Sequence, residues 1–431
     1  MVRSIERVQD LKVKPGVGGH LYKPLFSLLL VSANRVIITV TSYYALGGRS
    51  LSGLFNLDVF KQVFYTSFMR YDTGWYSQIA QSGYTTEKSS AFFPLYPLIM
   101  RVSSDVTGLS YKVCGQAIAI LCFIISLWLV QVLSEKNGIL HFTSNNGQAG
   151  RWIACVVACH PASFFFSIAY TESLFFMLTL FFMISVAKRK WFMAGLAGFF
   201  AALTRNTGVF LVIIFVLEYF RSILPKWSGK KISDQIRHYY HSFIHFIKSL
   251  NWGYFRLYRS FFNILLIPAG VMGYFAFLAN KFGSMMGPVT SQKFFGRSSM
   301  FPVITLYNGF IHSIDKLTTT DKPYIFHYYL LELFSVLIFL FALVYLIKHV
   351  PLSYNFFMLA SLILPLCKPA YTGLVDYFVS FSRYTVTLYP YFVALYGIFH
   401  NSRKAFIFYL AASLYMLIMS VSFWCNGKFI A

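Results

Sequence analysis

Apolar stretches long enough to cross a bilayer, about 20 residues each, recur along the whole chain, and they constrain its fold more than any other feature. The sequence is 57% hydrophobic and 12% charged, whereas soluble domains carry roughly 25% charged residues. A chain in lipid must satisfy its own backbone hydrogen bonds, so it forms a helical bundle or a closed barrel. A barrel would need short alternating strands. The sequence therefore predicts an all-α, polytopic membrane protein.

About eleven apolar stretches have the length of a membrane span. No change in composition divides them, so residues 1–431 are predicted to form one integral membrane domain. The predicted spans are 25–46, 112–133, 150–166, 172–187, 190–204, 206–222, 262–281, 325–347, 352–367, 384–400 and 404–424.

Basic residues predict the orientation of these spans. The formal net charge is +23, but the positive residues gather in connections such as Lys188-Arg189-Lys190 and 223–261, which is typical of cytoplasmic loops and not of a nucleic-acid surface. This orientation leaves a long first external loop, a second long external loop and three shorter connections on the outer face. They are 47–111, 282–323, 170–173, 204–208 and 368–383.

The basic segment 223–261 is predicted to contain a helix that lies in the cytoplasmic membrane interface. His238, His241 and His245 stand among aromatic residues at helical spacing, and no acidic or Cys partner has a spacing suited to zinc. We expect its basic residues to contact anionic headgroups.

Cysteines and targeting signals add little. The six cysteines lie mostly in or at the ends of predicted spans and form no Cys-x-x-Cys pair, so free thiols are expected. The first span lacks a cleavage site and is predicted to be an uncleaved anchor. No N-x-S/T sequon occurs, which favours a bacterial plasma membrane over the endoplasmic reticulum membrane of a eukaryote.

The segment Arg70-Tyr71-Asp72-Thr73-Gly74-Trp75-Tyr76 places a carboxylate in an aromatic loop at the membrane surface. A charge in that position is a candidate functional group. An enzyme acting on lipid-linked material needs a base and a cationic site for a phosphate leaving group. Asp72 and Glu172 are the predicted external carboxylates. The candidate cations are Arg205, Lys293, Arg297, Lys368 and Arg383.

Three motifs occur in order along the chain. The first runs from Arg70-Tyr71-Asp72 through Gly83-Tyr84 to Ala91-Phe92-Phe93-Pro94-Leu95-Tyr96-Pro97. The second is His160-Pro161-Ala162-Ser163-Phe164-Phe165 with Tyr170-Thr171-Glu172-Ser173, and the third is Thr204-Arg205-Asn206-Thr207-Gly208. Together they resemble the motifs of the PIG-V family, the second mannosyltransferase of GPI-anchor synthesis, and its prokaryotic relatives. The resemblance covers 65–220, with an echo at Ser382-Arg383-Tyr384. It departs from the family at Tyr71, where Trp is usual, and at His160, where Asn is common.

The resemblance implies a GT-C type helical bundle that transfers a sugar, typically mannose, from dolichyl- or undecaprenyl-phosphate on the noncytoplasmic face, with inversion. In that class an acidic residue of the first external loop is the base, and Asp72 matches that position. Arg205 and then Arg383 are expected to stabilise the lipid phosphate. The residues expected to bind substrate are Arg70, Trp75, Tyr76, Glu172, Arg205, Asn206, Arg297 and Arg383.

Several of these residues have a structural alternative. Asp72 also suits an ion pair with Arg70 or a helix cap. Glu172 also suits an ion pair with Arg205 that joins two helix ends, and Arg35 and Glu332 suit an ion pair between predicted spans. No cofactor or metal is predicted, and because no Asp-x-Asp pair accompanies Asp72 the dependence on a divalent metal is left open.

A lipid or glycan transporter or flippase is the main alternative function. Transporters often contain internal repeats and charges near the middle of spans, whereas the polar residues here gather at one rim, which favours an enzyme. A non-catalytic scaffold would need neither Asp72 nor Arg205.

The expected partners are the lipid bilayer, a lipid-linked sugar donor and a glycolipid or glycan acceptor, without nucleic acid. A partner subunit is compatible with a eukaryotic source. The residues do not specify the acceptor.

Overall fold

The computed structural model describes residues 19–135, 148–223, 232–248, 260–372 and 374–430. In these ranges the chain is a bundle of helices with one small antiparallel hairpin. The helices are α1 (Gly19–Ala45), α2 (Leu57–Phe64), α3 (Asp72–Ser82), α4 (Leu95–Thr107), α5 (Tyr111–Glu135), α6 (Gln148–Cys159), α7 (Glu172–Ala187), α8 (Trp191–Thr204), α9 (Leu211–Ile223), α10 (Ile232–Lys248), α11 (Leu266–Phe282), α12 (Gly287–Thr290), α13 (Pro302–Thr319), α14 (Pro323–His349), α15 (Leu352–Leu366), α16 (Phe381–Thr385), α17 (Tyr389–Phe399) and α18 (Arg403–Cys425). The strands are β1 (Ala370–Thr372) and β2 (Leu374–Asp376).

Among the described residues, six helical segments are long and apolar enough to cross a membrane, which confirms the prediction of an integral membrane helical bundle. They are Tyr22–Ala45, Tyr111–Ser134, Asn206–Ile223, Phe262–Phe282, Pro323–His349 and Arg403–Cys425. The predicted spans 172–187, 190–204 and 352–367 coincide with α7, α8 and α15, which are shorter apolar helices. The hairpin is the small exception to an all-α fold.

Two predicted spans are interrupted. Helix α6 ends at Cys159, and a 3-10 turn over Ser163–Ser167 follows it, so a continuous helix over 150–166 is wrong. The span predicted over 384–400 is likewise divided between α16 and α17. Pro161 and Pro390 lie at these breaks, where a missing backbone N–H and a fixed φ end one helix or begin the next.

The predicted first external loop is itself helical and contains α2, α3 and α4. Pro94 precedes the first residue of α4, and the Tyr96 hydroxyl donates to the carbonyl of Gly115 at 2.7 Å, which joins α4 to α5. The segment Ala91–Pro97 therefore begins a packed helix. Together, α3 and α4 place the first motif against the bundle.

A buried polar clamp, formed by Arg35 and Gln116, joins the end of α2 to the 3-10 turn Ser163–Ser167. Arg35 of α1 donates to the carbonyls of Phe64 at 2.8 Å and Ser167 at 3.3 Å, and Gln116 of α5 donates to the same two oxygens. Since buried carbonyls need partners, the clamp stabilises the chain before Asp72 and between the two halves of the second motif. Arg35 does not pair with Glu332, so that predicted ion pair is wrong.

Helix α10 confirms the predicted helix within 223–261. It leaves Ile236 and Tyr240 exposed, as an interfacial helix would, and the backbone N–H of Leu352 donates to Gln235 Oε1 at 3.2 Å. Residues 224–231 and 249–259 lie outside the described ranges. All six cysteines are free thiols, as predicted.

Candidate active site

One cavity of about 570 Å³ is lined by residues from all three motifs. Its wall contains the start of α3, the segment after α8, the first turns of α14 and the stretch from β2 to α16. Seven of the predicted site residues line it: Asp72, Trp75, Tyr76, Arg205, Asn206, Arg297 and Arg383. Segments that were predicted to share one membrane face thus converge on one space.

A chain of ion pairs lies in one part of this wall. Arg383 Nη2 is 2.7 Å from Asp72 Oδ2, and Arg383 Nε donates to Glu172 Oε1. Arg205 Nη1 is 2.5 Å from the same Glu172 oxygen and also donates to Thr171 Oγ1 at 3.3 Å. The four side chains form the network Asp72–Arg383–Glu172–Arg205, in which two carboxylates balance two guanidinium groups.

Exposure differs within this network. The side chain of Asp72 is 25% exposed and faces the cavity, whereas that of Glu172 is 0% exposed. Arg383 packs over the rings of Tyr170 and Phe165, with its guanidinium carbon 4.6 and 5.3 Å from the ring centroids. Burial lowers the pKa of Arg383, but Glu172 and Asp72 outweigh it and raise that pKa well above its ordinary value. Arg383 therefore stays charged beside Asp72.

The backbone has positive φ angles near both members of the Asp72–Arg383 pair, and hydrogen bonds hold it beside Asp72. Tyr71 has φ +52° and Ser380 has φ +63°, a region that non-glycine residues seldom adopt. The Asp72 N–H donates to Tyr170 Oη at 3.2 Å, and the Tyr71 hydroxyl donates to the carbonyl of Gly427 at 2.9 Å. Burial raises the pKa of Tyr170, so its hydroxyl stays protonated.

The buried carboxylate of Glu332 supports the other side of the pair. It accepts hydrogen bonds from the Ser382 N–H at 2.9 Å and the Ser382 hydroxyl at 2.7 Å. Ser382 immediately precedes Arg383, so these bonds position the arginine. Glu332 is thus a positioning residue, whereas the sequence suggested only an ion pair for it.

Aromatic rings form much of the remaining wall. Trp75 stacks on Phe92 with centroids 5.6 Å apart, and Phe295 meets Trp75 edge-on at 5.9 Å. The Tyr76 hydroxyl lies 3.4 Å from Thr171 Oγ1. Flat apolar rings beside a few polar groups are typical of ligand sites.

The structure adds a second polar cluster that the sequence analysis missed. Asp376 Oδ2 accepts a hydrogen bond from the Tyr328 hydroxyl, and its Oδ1 accepts the Phe378 N–H at 3.2 Å. Burial raises the pKa of Asp376, while the Tyr328 bond and Arg297 act in the opposite direction. Asp376 lay within the predicted external connection 368–383, but no motif marked it.

Two predicted substrate-binding residues do not line the cavity. Arg70 donates to the carbonyls of Cys425 and Ser67, both at 3.1 Å, so it fastens the first motif to α18 and does not pair with Asp72. Glu172 lies behind Arg205 and Arg383. Direct contact of these two residues with substrate stays a prediction, while the alternative Glu172–Arg205 ion pair is present.

Two further candidate cations, Lys293 and Lys368, are also absent from the cavity wall; the Lys368 ammonium donates to Ser299 Oγ at 2.7 Å. Within the described ranges no three side chains of His, Cys, Asp or Glu gather in a way that could hold a metal ion.

Comparison with known proteins follows the same motifs. Residues 22–262, more than half of the chain, match the family described as mannosyltransferase (PIG-V). GPI mannosyltransferase 2 of Drosophila melanogaster is 25% identical over 201 residues, which cover 44% of this chain and 44% of the relative. GPI mannosyltransferase 2 of Drosophila pseudoobscura pseudoobscura is 32% identical over 109 residues, 24% of each chain. The matches span less than half the length of either relative.

Among solved structures, the oligosaccharyltransferase of Archaeoglobus fulgidus tethered to an acceptor peptide aligns over 92% of this chain and 55% of that one. The TM-score is 0.37 at 11% identity.

Proposed function

Because this chain belongs to the mannosyltransferase (PIG-V) family, we propose that it is a membrane glycosyltransferase of the GT-C type. It moves mannose from a polyprenyl-phosphate donor to a lipid-linked or cell-surface glycan on the noncytoplasmic face of its membrane. The observation that carries the proposal is the network Asp72–Arg383–Glu172–Arg205 on the wall of an aromatic cavity.

Asp72 is the proposed base. It is the one carboxylate of the network that faces the cavity, and Arg383 holds one of its oxygens at 2.7 Å. A carboxylate fixed in this way accepts the proton of an acceptor hydroxyl as that oxygen attacks the anomeric carbon. Attack from the face opposite the phosphate inverts that carbon.

The charges of the network suit this step. Before reaction, two carboxylates balance two guanidinium groups. When Asp72 takes the proton it becomes neutral, so one net positive charge appears on Arg383 and Arg205. In the same step the C–O bond to the phosphate breaks and the departing lipid phosphate gains one negative charge. Fixed positive charge at that moment stabilises the transition state.

The polyprenyl donor and the noncytoplasmic side belong to the proposal. A lipid-borne donor is consistent with a cavity set among membrane-spanning helices. The basic residues of the connection 223–261 suit the cytoplasm under the positive-inside rule, which leaves the predicted external loops on the noncytoplasmic side. In the chemistry described, Asp72 supplies the base and two arginines supply positive charge.

A transfer assay tests the proposal. The full chain, purified in nanodiscs, is incubated with dolichyl- or undecaprenyl-phosphate carrying labelled mannose. Glycolipids extracted from membranes of the organism that carries the chain are added as acceptors. Wild-type protein should move the label to an acceptor, and Asp72→Asn should lower the rate about a hundredfold or more. Asp58→Asn is the matched control, because the Asp58 side chain lies in the same predicted loop and is 92% exposed.

Two outcomes would contradict the proposal. An unchanged transfer rate in the Asp72→Asn variant would show that Asp72 is not the base. Movement of the intact donor across the bilayer of liposomes that contain the chain, without any sugar transfer, would instead support the transporter alternative.

A further inference from the structure

The cluster formed by Arg297, Tyr328 and Asp376 lines the same cavity as Asp72 but lies outside its ion-pair network. Tyr328 comes from the first turns of α14, Asp376 ends β2, and Arg297 follows the 3-10 turn Ser291–Phe295. The proton transfer and phosphate departure described above use none of these three residues. Apart from the network of Asp72, these are the residues of the cavity wall that bring a carboxyl group and a guanidinium group together.

The backbone around this cluster is tied together. The Tyr371 N–H donates to the carbonyl of Gly296 at 2.7 Å, and the Ser298 N–H donates to the carbonyl of Pro369 at 3.1 Å. These bonds make Arg297 and Ala370 an antiparallel backbone β-bridge. Arg297 Nη1 also donates to the carbonyl of Lys368 at 3.0 Å. The loop that carries Arg297 and the hairpin that carries Asp376 are therefore one platform. Such preorganisation is what a binding site needs.

Charge and hydrogen-bonding capacity indicate the kind of ligand. The cluster contains one carboxyl group, on Asp376, and one guanidinium group, on Arg297, so it is better suited to a neutral polar group than to an anion. Each carboxylate oxygen can accept about two hydrogen bonds. Tyr328 and the Phe378 N–H occupy one position on each oxygen, which leaves acceptor positions for hydroxyl groups in the cavity.

The aromatic part of the wall completes the site. Trp75 and Phe295, which contact each other edge-on, also line this cavity, as does Tyr324. A pyranose ring has an apolar face that packs on such rings and a rim of hydroxyls that donate to carboxylates.

We propose that Asp376 and Tyr328, backed by Arg297, bind neighbouring hydroxyls of a pyranose ring of the substrate. The inference rests on the proposed transferase function and adds a sugar-binding subsite to it. The ring belongs either to the transferred sugar or to the acceptor glycan, and the chemistry of recognition is the same for both.

The experiment separates binding from chemistry. Asp376→Asn and Tyr328→Phe are measured in the transfer assay with donor and acceptor varied in turn. We expect KM to rise about tenfold to a hundredfold for the substrate whose ring is bound, since a hydrogen bond to a charged group is lost, while kcat changes less than threefold. Asp315→Asn is the control, because Asp315 is 55% exposed and pairs with Lys316.

A second measurement distinguishes the two sources of the ring. Equilibrium binding of the labelled donor is compared, without added acceptor, between Asp72→Asn and the double variant Asp72→Asn/Asp376→Asn, in both of which transfer is slow. Weaker donor binding in the double variant assigns the subsite to the transferred sugar. Unchanged donor binding with a raised acceptor KM assigns it to the acceptor.

An unchanged KM for both substrates in both single variants, with the folded state preserved in thermal unfolding, overturns the inference. Wild-type transfer would then still support the proposed function. Absence of transfer by the wild-type protein would count against the function itself.

Discussion

Arg383 Nη2 lies 2.7 Å from Asp72 Oδ2, and the same guanidinium donates through Nε to the buried carboxylate of Glu172. One arginine thus joins a carboxylate that faces the cavity to one that does not. The geometry of Asp72 depends on groups contributed by α3, α7 and α16.

Glu172→Gln should destabilise the protein strongly. Gln keeps the shape but leaves Arg205 and Arg383 without the buried counter-charge that both contact. Loss of one partner from a buried ion pair costs about 3–5 kcal/mol, so thermal unfolding in detergent should occur at a clearly lower temperature. Glu87→Gln serves as the control, since Glu87 is exposed.

Combining Glu172→Gln with Arg205→Gln should recover part of the lost stability, because one uncompensated charge is removed. A Glu172→Gln protein as stable as wild type would mean that the buried carboxylate does not stabilise the network.

Tyr170→Phe should lower kcat/KM about fivefold. The variant loses the hydroxyl that accepts the Asp72 N–H at 3.2 Å and lies 3.4 Å from the carbonyl of Arg70, and a hydrogen bond of this kind contributes about 1 kcal/mol. Steady-state transfer kinetics provide the measurement. Tyr307→Phe is the comparison, as Tyr307 is 68% exposed; equal effects in the two variants would contradict a positioning role for Tyr170.

Gly208→Ala should destabilise the third motif, whereas Gly74→Ala should be tolerated. A Cβ on Gly208 would lie 2.5 Å from the backbone carbon and oxygen of Ala201, which cannot move aside as a side chain can, while a Cβ on Gly74 would meet nothing within 4 Å. Overpacking costs about 1–3 kcal/mol. Unfolding temperature and transfer rate should fall only in the Gly208 variant, and the reverse order would refute the packing argument.

The pH dependence of stability should change in Asp376→Asn. Burial raises the pKa of Asp376, so the folded chain retains this proton to a higher pH than the unfolded chain. That contribution to stability is fully present below the ordinary carboxyl pKa and is lost as the pH rises through the raised value. Asn does not titrate.

The unfolding temperature of the Asp376→Asn variant relative to wild type should therefore rise from about pH 4 towards neutral pH. Thermal unfolding at several pH values measures the difference. A difference that stays constant over this range would show that the environment of Asp376 does not favour its protonated form.

Several elements of the fold could be predicted because their signals are local. Apolar stretches located the long helices to within a few residues, as in Pro323–His349 against a predicted 325–347. The breaks after Cys159 and before Tyr389 were missed, since a proline in an apolar stretch permits either a kinked or a divided helix, and the choice depends on packing partners.

The sequence by itself determined that this chain is a membrane helical bundle and which motifs carry its family likeness, because apolar length and residue spacing are properties of short segments. Only the tertiary structure decided that Arg383 pairs with Asp72, that Arg70 fastens a backbone, that Glu172 lies behind two arginines and that Asp376 reaches the cavity. The energy of an ion pair depends on the distance between its charges and on their burial. Both are set by the packing of helices that lie far apart in the chain.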